Sequence, residues 1–366
     1  MRVYVGLDVH SKRSVFVIEQ EDGKVIGRGQ IPTTPAGLGW LKKEYRLGPG
    51  TAVALETGTV AFYVARELTR LELKAVVIDA HEVRVKAQRP GQKSDRRDAF
   101  EICEGLRRGI YRTIVHVPSE EISRLRETLS RRRHFVWVRT GEINAAKRLL
   151  RAAGLGHLSK SLGTEAAWEK LLVALPVEGE LRSYVAQHGA VWRCVQEQVA
   201  VLDEALATQQ APVASAVERL QSVPGVGPIV ALTAVAVFSD VTRFGSCKEA
   251  ASYGGLVPSS NQSGDRDTHG RITKRGSAAL RSMLCEAAHH AARPTHPLNP
   301  YFAKLCAKAG YKKAVVAVAH RLCRILFAML RDGAVFDIGK LGVEEGSFRQ
   351  TRIRHYRLKA VPAVRG

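Results

Sequence analysis

Residues 3–31, VYVGLDVHSKRSVFVIEQEDGKVIGRGQI, read as three consecutive strands. VYVGLDV (3–9) and SVFVIEQ (14–20) alternate in polarity, and EDGK (21–24) makes a hairpin turn into KVIGRGQI (24–31). Beyond them the rhythm changes. A helix is expected over about 35–46, a strand at TAVALE (51–56), a helix over about 59–71, a strand at LKAVVID (73–79) and helices to about 109. An antiparallel three-stranded start that feeds two β-α units implies a mixed sheet with helices on its faces. Such a sheet places functional residues at the carboxyl ends of its parallel strands.

Downstream the pattern is helical. Leu181, Val185, His188, Trp192, Val195, Val199, Leu202 and Leu206 step by four and three, a heptad seam. An earlier helix offers Ile122, Leu125, Leu129, Val136, Ile143 and Leu150 as a partner face, either within the chain or between chains. That helix also carries Arg124, Arg126, Arg131, Arg132, Arg133 and Arg139. A charge run is usually a solvated face, but arginines this dense, without matching acids, suit a phosphate backbone. SVPGVGPIVALTAVAVF (222–238) then reads as a helix end, the turn Pro224-Gly225-Val226-Gly227 and an apolar helix. This is like a helix-hairpin-helix, whose glycines, here Gly225 and Gly227, leave N–H groups for a phosphate; Gly-rich turns between packed helices are also common.

The expected class is α/β plus α. It comprises a sheet domain at 1–118, a helical coiled-coil connector at 119–212, a mostly helical domain at 213–340 and a tail at 341–366. The tail is basic, with Arg349, Arg352, Arg354, Arg357 and Lys359.

Composition narrows the partners. Hydrophobic residues make up 45% of the 366, enough for two or three packed domains. Lys and Arg number 56 against 35 acids, and a net charge of +21 favours nucleic acid. A membrane partner lacks support: the longest apolar run, PIVALTAVAVF (228–238), is too short to span. The N-terminus lacks a signal-peptide core, and six scattered cysteines form no CxxC pair, as in a reduced cytosolic protein without a zinc site.

Four acids stand out. Asp8 closes the first strand on the face opposite Val3, Val5 and Leu7, and Glu56 closes TAVALE. Asp95 and Asp98, in KSDRRDAF (93–100), share one helix face with Cβ atoms roughly 5–6 Å apart. Together they offer hard oxygen ligands for Mg²⁺. Each alone has an ordinary reading: a turn cap, a strand-end surface acid, or a helix start that offsets the dipole. Asp79 also ends a strand, but Asp79-Ala80-His81-Glu82 reads as a helix N-cap and is set outside the site.

With these residues in place, the chain resembles the DEDD transposases, the insertion-sequence one-ten family of site-specific recombinases. GLDVHSK, LETGT and KSDRRDA supply the four acids, VPGVGPIVA the entry to a C-terminal transposase domain, and GLVPSSNQSGDRDTHGRITKRGSAALR (255–281) its characteristic stretch. The resemblance implies an RNase H-type, RuvC-like N-terminal domain with Asp8, Glu56, Asp95 and Asp98 around Mg²⁺, Mn²⁺ being a substitute. It also implies a nucleophilic serine before a glycine, which falls on Ser263, with Ser260 as the fallback in the same loop. An unactivated hydroxyl needs a base or metal, and Arg266, Arg271, Lys274 and Arg275 would steady the phosphate. Family members work on donor and target double-stranded DNA through a phosphoserine, as tetramers built of dimers, and are directed by a structured guide RNA. A cytoplasmic, nucleoid-associated bacterial or archaeal protein is expected, and Arg131, Arg132 and Arg133 are the expected nucleic-acid contacts on the connector. Two other functions stay open: a RuvC-like nuclease that hydrolyses branched DNA, and a non-catalytic DNA- or RNA-binding protein.

Overall fold

The computed structural model of the protein describes residues 2–86, 94–176, 179–263 and 266–341. The tail beyond residue 341 therefore lies outside the described residues, as do Lys93 and Gly264. The chain divides into two units, the first ending at Ser119 and the second starting at Glu120.

The first unit is built on a five-stranded mixed sheet of order β3-β2-β1-β4-β5. Its strands are β1 (Val3–Val9), β2 (Arg13–Gln20), β3 (Val25–Pro32), β4 (Ala52–Glu56) and β5 (Lys74–Ile78). The first three run antiparallel; β4 lies parallel to both β1 and β5. The first turn forms as expected, with Gly23 at φ +87° and the Gly23 N–H donating to the Gln20 carbonyl at 2.9 Å.

Helices cover both faces. On one side α1 (Pro35–Glu44) and α2 (Ala61–Arg70) bury Leu38, Leu41, Val64 and Leu68 against Val5, Leu7, Phe16, Ile18, Val53 and Leu55. Full burial of such side chains contributes about 1.5–3 kcal/mol each. On the other side α4 (Asp95–Arg107) packs Ala99, Ile102 and Cys103 against Val15, Val17, Ala54 and Ile78, while α3 (Ala80–Lys86) adds Val83. Two-sided cover explains why β2 is buried from Ser14 to Glu19 although its sequence alternates. Its polar members find partners: Ser14 Oγ lies 2.9 Å from Thr33 Oγ1, and Arg107 Nε donates to Glu19 at 2.7 Å.

In the second unit the heptad seam pairs within the chain. α5 (Glu120–Ala152) and α7 (Glu180–Gln209) run antiparallel, as the cross-helix bonds show: Arg132 to Asp203, Arg139 to Gln196 at 2.7 Å, and His188 to Glu142 at 2.6 Å. Val185, Trp192, Val195, Val199 and Leu206 are buried along it, opposite Leu125, Leu129 and Leu150. A short helix between them, α6 (Glu165–Ala174), closes the far end by setting Trp168 5.9 Å from Trp192. At the near end Leu125, Leu129 and Leu206 share one core with Val217, Leu232, Leu284 and Leu322.

That core belongs to α8 (Ala214–Gln221), α9 (Pro228–Phe238), α10 (Cys247–Tyr253), α11 (Ala278–His289), α12 (Asn299–Ala309) and α13 (Tyr311–Asp332). Residues 255–281 depart from the expected loop. They contain an antiparallel hairpin, β6 (Pro258–Ser263) and β7 (Arg266–Ile272), with Ser263 paired to Arg266. The two residues between them, Gly264 and Asp265, lie outside the described residues.

Candidate active site

Gly6 sets the position of the acids. An added Cβ there would lie 2.3 Å from the Ala99 carbonyl oxygen and 2.5 Å from Cys103 N. Without one, α4 settles directly on β1, and its first turn, carrying Asp95 and Asp98, comes to the end of β1. Leu7 pairs with Leu55 in the parallel register, and both point to the α1–α2 side. Strand alternation therefore turns Asp8 and Glu56, one residue on, toward the α4 side.

Asp8, His10 and Asp95 form the tightest group among the described residues, with one ligand atom of each within 4.8 Å of the others. His10 Nε2 lies 3.1 Å from Asp8 Oδ2 and 3.6 Å from Asp95 Oδ2. Partial burial pushes the Asp8 carboxyl up; the His10 ring opposes this, and the neighbouring Asp95 and Asp98 reinforce it. Like charges gathered on a half-buried carboxylate are the electrostatic condition that a cation relieves. Two carboxylates and an imidazole fit a divalent ion of the Mg²⁺–Mn²⁺ type, the nitrogen favouring the softer metal.

Sequence reasoning missed His10. The signal was its spacing, two residues after Asp8, which keeps it on the same side as the strand ends. Asp98 influences Asp8 electrostatically, and Glu56 ends the adjacent strand; neither belongs to the tight group. Asp79 caps α3, its Oδ1 accepting from the N–H groups of His81 and Glu82 at 3.0 and 3.2 Å. Beside the acids, a groove of about 860 Å³ between β2, β3 and α4 is lined by Arg28, Arg96, Arg97 and Phe100.

In the second unit, Ser263 ends β6 and Ser260 sits three residues earlier. The base of the hairpin is pinned: Ser259 Oγ donates to the Arg271 carbonyl at 3.0 Å, passing over Gly270, where a Cβ would fall 2.4 Å from that oxygen. Arg266 opens β7, and Arg271, Lys274 and Arg275 are exposed at its end. Gly225 holds φ +81° against His290, while Gly227 precedes α9 with open space at its α-carbon.

The arginine run is less uniform than its sequence. Arg126 caps α9, donating to the Ala236 and Val237 carbonyls at 2.8 and 3.1 Å. Arg132 pairs with Asp203 and Arg131 with Glu127, so both have matching acids that sequence reading did not find. Arg133 is exposed, with no ion-pair partner among the described residues. Among those residues no helix is long and apolar enough to cross a membrane.

Known proteins agree with this layout. Residues 5–154 match the DEDD-type transposase family model, and residues 217–303 match the "Transposase IS116/IS110/IS902 family". The chain is 29% identical over 265 residues to the "Transposase for insertion sequence element IS1111A" of Coxiella burnetii, covering 70% of this chain and 71% of that one. It is 29% identical over 345 residues to a "Probable family 20 transposase" of Pseudomonas aeruginosa, covering 89% and 96%. A "Pilin gene-inverting protein" of Moraxella lacunata is 31% identical over 121 residues, 32% of this chain and 38% of that one. An acid-bearing mixed sheet followed by a helical unit, with both models matched in order, defines a DNA transposase, an enzyme of strand cleavage and rejoining. The chain belongs to the IS110/IS116 family of insertion-sequence transposases.

Proposed function

We propose that this transposase cuts and rejoins donor and target double-stranded DNA through a phosphoserine on Ser263, beside a Mg²⁺ site that Mn²⁺ also fills. The approach of Asp8, His10 and Asp95 to one point carries the reading. Asp8 on the central strand of a 3-2-1-4-5 sheet supports an RNase H-type, RuvC-like domain. Asp8, His10 and Asp95 would hold the ion, with Glu56 and Asp98 completing the acid set. A bound divalent ion supplies charge neutralisation at phosphate oxygens and acidity to a hydroxyl.

The chain's own groups do the rest. Ser263 Oγ forms a bond to phosphorus as a P–O bond of the DNA breaks; the serine proton passes to a carboxylate and the departing DNA oxygen takes up a proton. The reverse attack by a DNA hydroxyl breaks the Oγ–P bond and reseals the strand without ATP. Arg271, Lys274 and Arg275, exposed at the hairpin end, are suited to hold the phosphate charge, with Arg266 at the start of β7. Gly225 and Gly227 offer backbone N–H groups to a second phosphate.

Asp8 and Ser263 belong to different units. The site is composite on this reading, complete when a dimer, or a tetramer built as a dimer of dimers, assembles on DNA. The net charge of +21 supports a structured guide RNA as a further partner, bound by shape and phosphate contacts. The setting is the bacterial or archaeal nucleoid in the cytoplasm. The Asp8→Ala/Glu56→Ala double variant should bind DNA and RNA yet cleave neither strand with Mg²⁺ or Mn²⁺. Full cleavage by that variant overturns the metal site.

A further inference from the structure

We infer that the solvent side of α5 is a stacking platform for an unpaired RNA base, with Trp137 as its floor. Trp137 is 73% exposed at the middle of a 33-residue helix, on the side away from the α7 seam. The ring of His134, one turn back, lies 6.4 Å away and tilted by only 30°, which extends the flat aromatic surface. One turn forward is Gly141, where an added Cβ would meet nothing within 4 Å. Glycine in a helix interior costs stability, and no neighbour among the described residues requires it there. What it leaves is a flat space beside the indole, open to a ligand from outside.

Charge identifies that ligand. Arg133, Thr140, Asn144 and Arg148 are further exposed groups around Trp137 on this side, and none of these four is acidic; exposed Glu127, nearer the helix start, is paired with Arg131. Glu142, within the same span, is turned to His188 across the helix pair. An exposed aromatic flanked by arginines suits a polyanion whose bases present their faces. Duplex DNA keeps its bases stacked inside, whereas the loops of a folded RNA hold bases unstacked and ready. A second copy of the chain would have to bury Arg133 and Arg148 against an identical basic surface. The inference rests on the RNA reading above for its class of partner.

The test uses the full-length protein and two RNA hairpins, identical except that one has abasic loop nucleotides. Trp137→Ala should weaken binding of the intact loop roughly tenfold to hundredfold, leave the salt slope unchanged, and equal the wild type on the abasic hairpin. Trp137→Phe should restore most of the affinity. Gly141→Ala should raise Tm while weakening the same binding, a combination that a merely structural glycine does not give. Equal binding of the intact loop by wild type and Trp137→Ala overturns the platform and leaves the guide-RNA reading standing. A wild type that binds no RNA hairpin overturns both. An equal loss with single-stranded DNA of the same loop sequence overturns RNA as the source, and a dimer-to-monomer change with unaltered RNA affinity assigns the surface to a second copy.

Discussion

Gly6 and Ala99 approach so closely that the carbonyl oxygen of Ala99 occupies the place where a side chain at residue 6 would begin, 2.3 Å from an ideal Cβ. This contact sets the depth of α4 on the sheet, and with it the distance from Asp95 to Asp8. Gly6→Ala must push backbone against backbone, which cannot be relieved by a rotamer change. Such overpacking costs about 1–3 kcal/mol. The variant should unfold at lower urea than wild type and lose divalent-metal affinity in the same proportion as α4 is displaced. Normal stability together with normal metal binding would show that α4 does not depend on this contact.

Two arginines seven residues apart on α5 should behave in opposite ways. Arg126 holds the carbonyl end of α9, and burial lowers its pKa, so Arg126→Met should cost about 1–3 kcal/mol of stability. Its binding should keep the wild-type salt slope. Arg133→Gln should leave stability alone and reduce the slope of log K against log salt by roughly 0.7–0.9. Urea titrations and binding isotherms at several salt concentrations separate the two, and a slope change in Arg126→Met alone would reverse the assignment.

Glu82 gives a pH dependence with a definite sign. Partial burial pushes its carboxyl up, but hydrogen bonds from Lys86 Nζ at 2.5 Å and from the N–H groups of Arg112 and Thr113 at 3.0 and 2.6 Å outweigh this and bring it to about 2. A carboxyl depressed on folding favours the native state above its unfolded value of 4.5, and that contribution is lost as pH falls from 4.5 to about 2. Wild type should therefore lose stability across this window, and Glu82→Gln should lose less. Parallel urea curves for the two proteins from pH 5 to pH 2.5 check it; identical pH slopes would contradict the coupling.

The mixed sheet was legible because each of its strands is short, polar-bounded and rich in branched residues. Even β2, buried on both faces, betrayed itself by SVFVI between charged ends. The hairpin at 258–272 was not legible in the same way, since PSSNQS and RDTHGRI carry almost no hydrophobic alternation. Only Gly270 and Gly276, which admit Ser259 and Tyr253, mark it. Asp8 and Glu56 stood out because they end strands, a position the fold class itself predicts, and Asp95 and Asp98 because they share one helix face. His10 was passed over because an imidazole two residues past a strand acid has no distinct pattern until α4 brings Asp95 beside it. The partners of the arginine run stayed hidden for a related reason: Asp203 and the α9 carbonyls that engage Arg132 and Arg126 lie 71 to 111 residues away in sequence.

The most direct test of the proposed chemistry is the mapping of the protein–DNA bond. Wild-type protein, incubated with its element-end DNA and Mg²⁺ and then denatured, should retain a covalent adduct whose peptide carries the DNA on Ser263. Ser263→Ala should bind the same DNA and yield neither adduct nor cut strand. Attachment at Ser260 would move the nucleophile along β6, and strand cleavage by Ser263→Ala without any adduct would contradict the phosphoserine account in favour of hydrolysis by water.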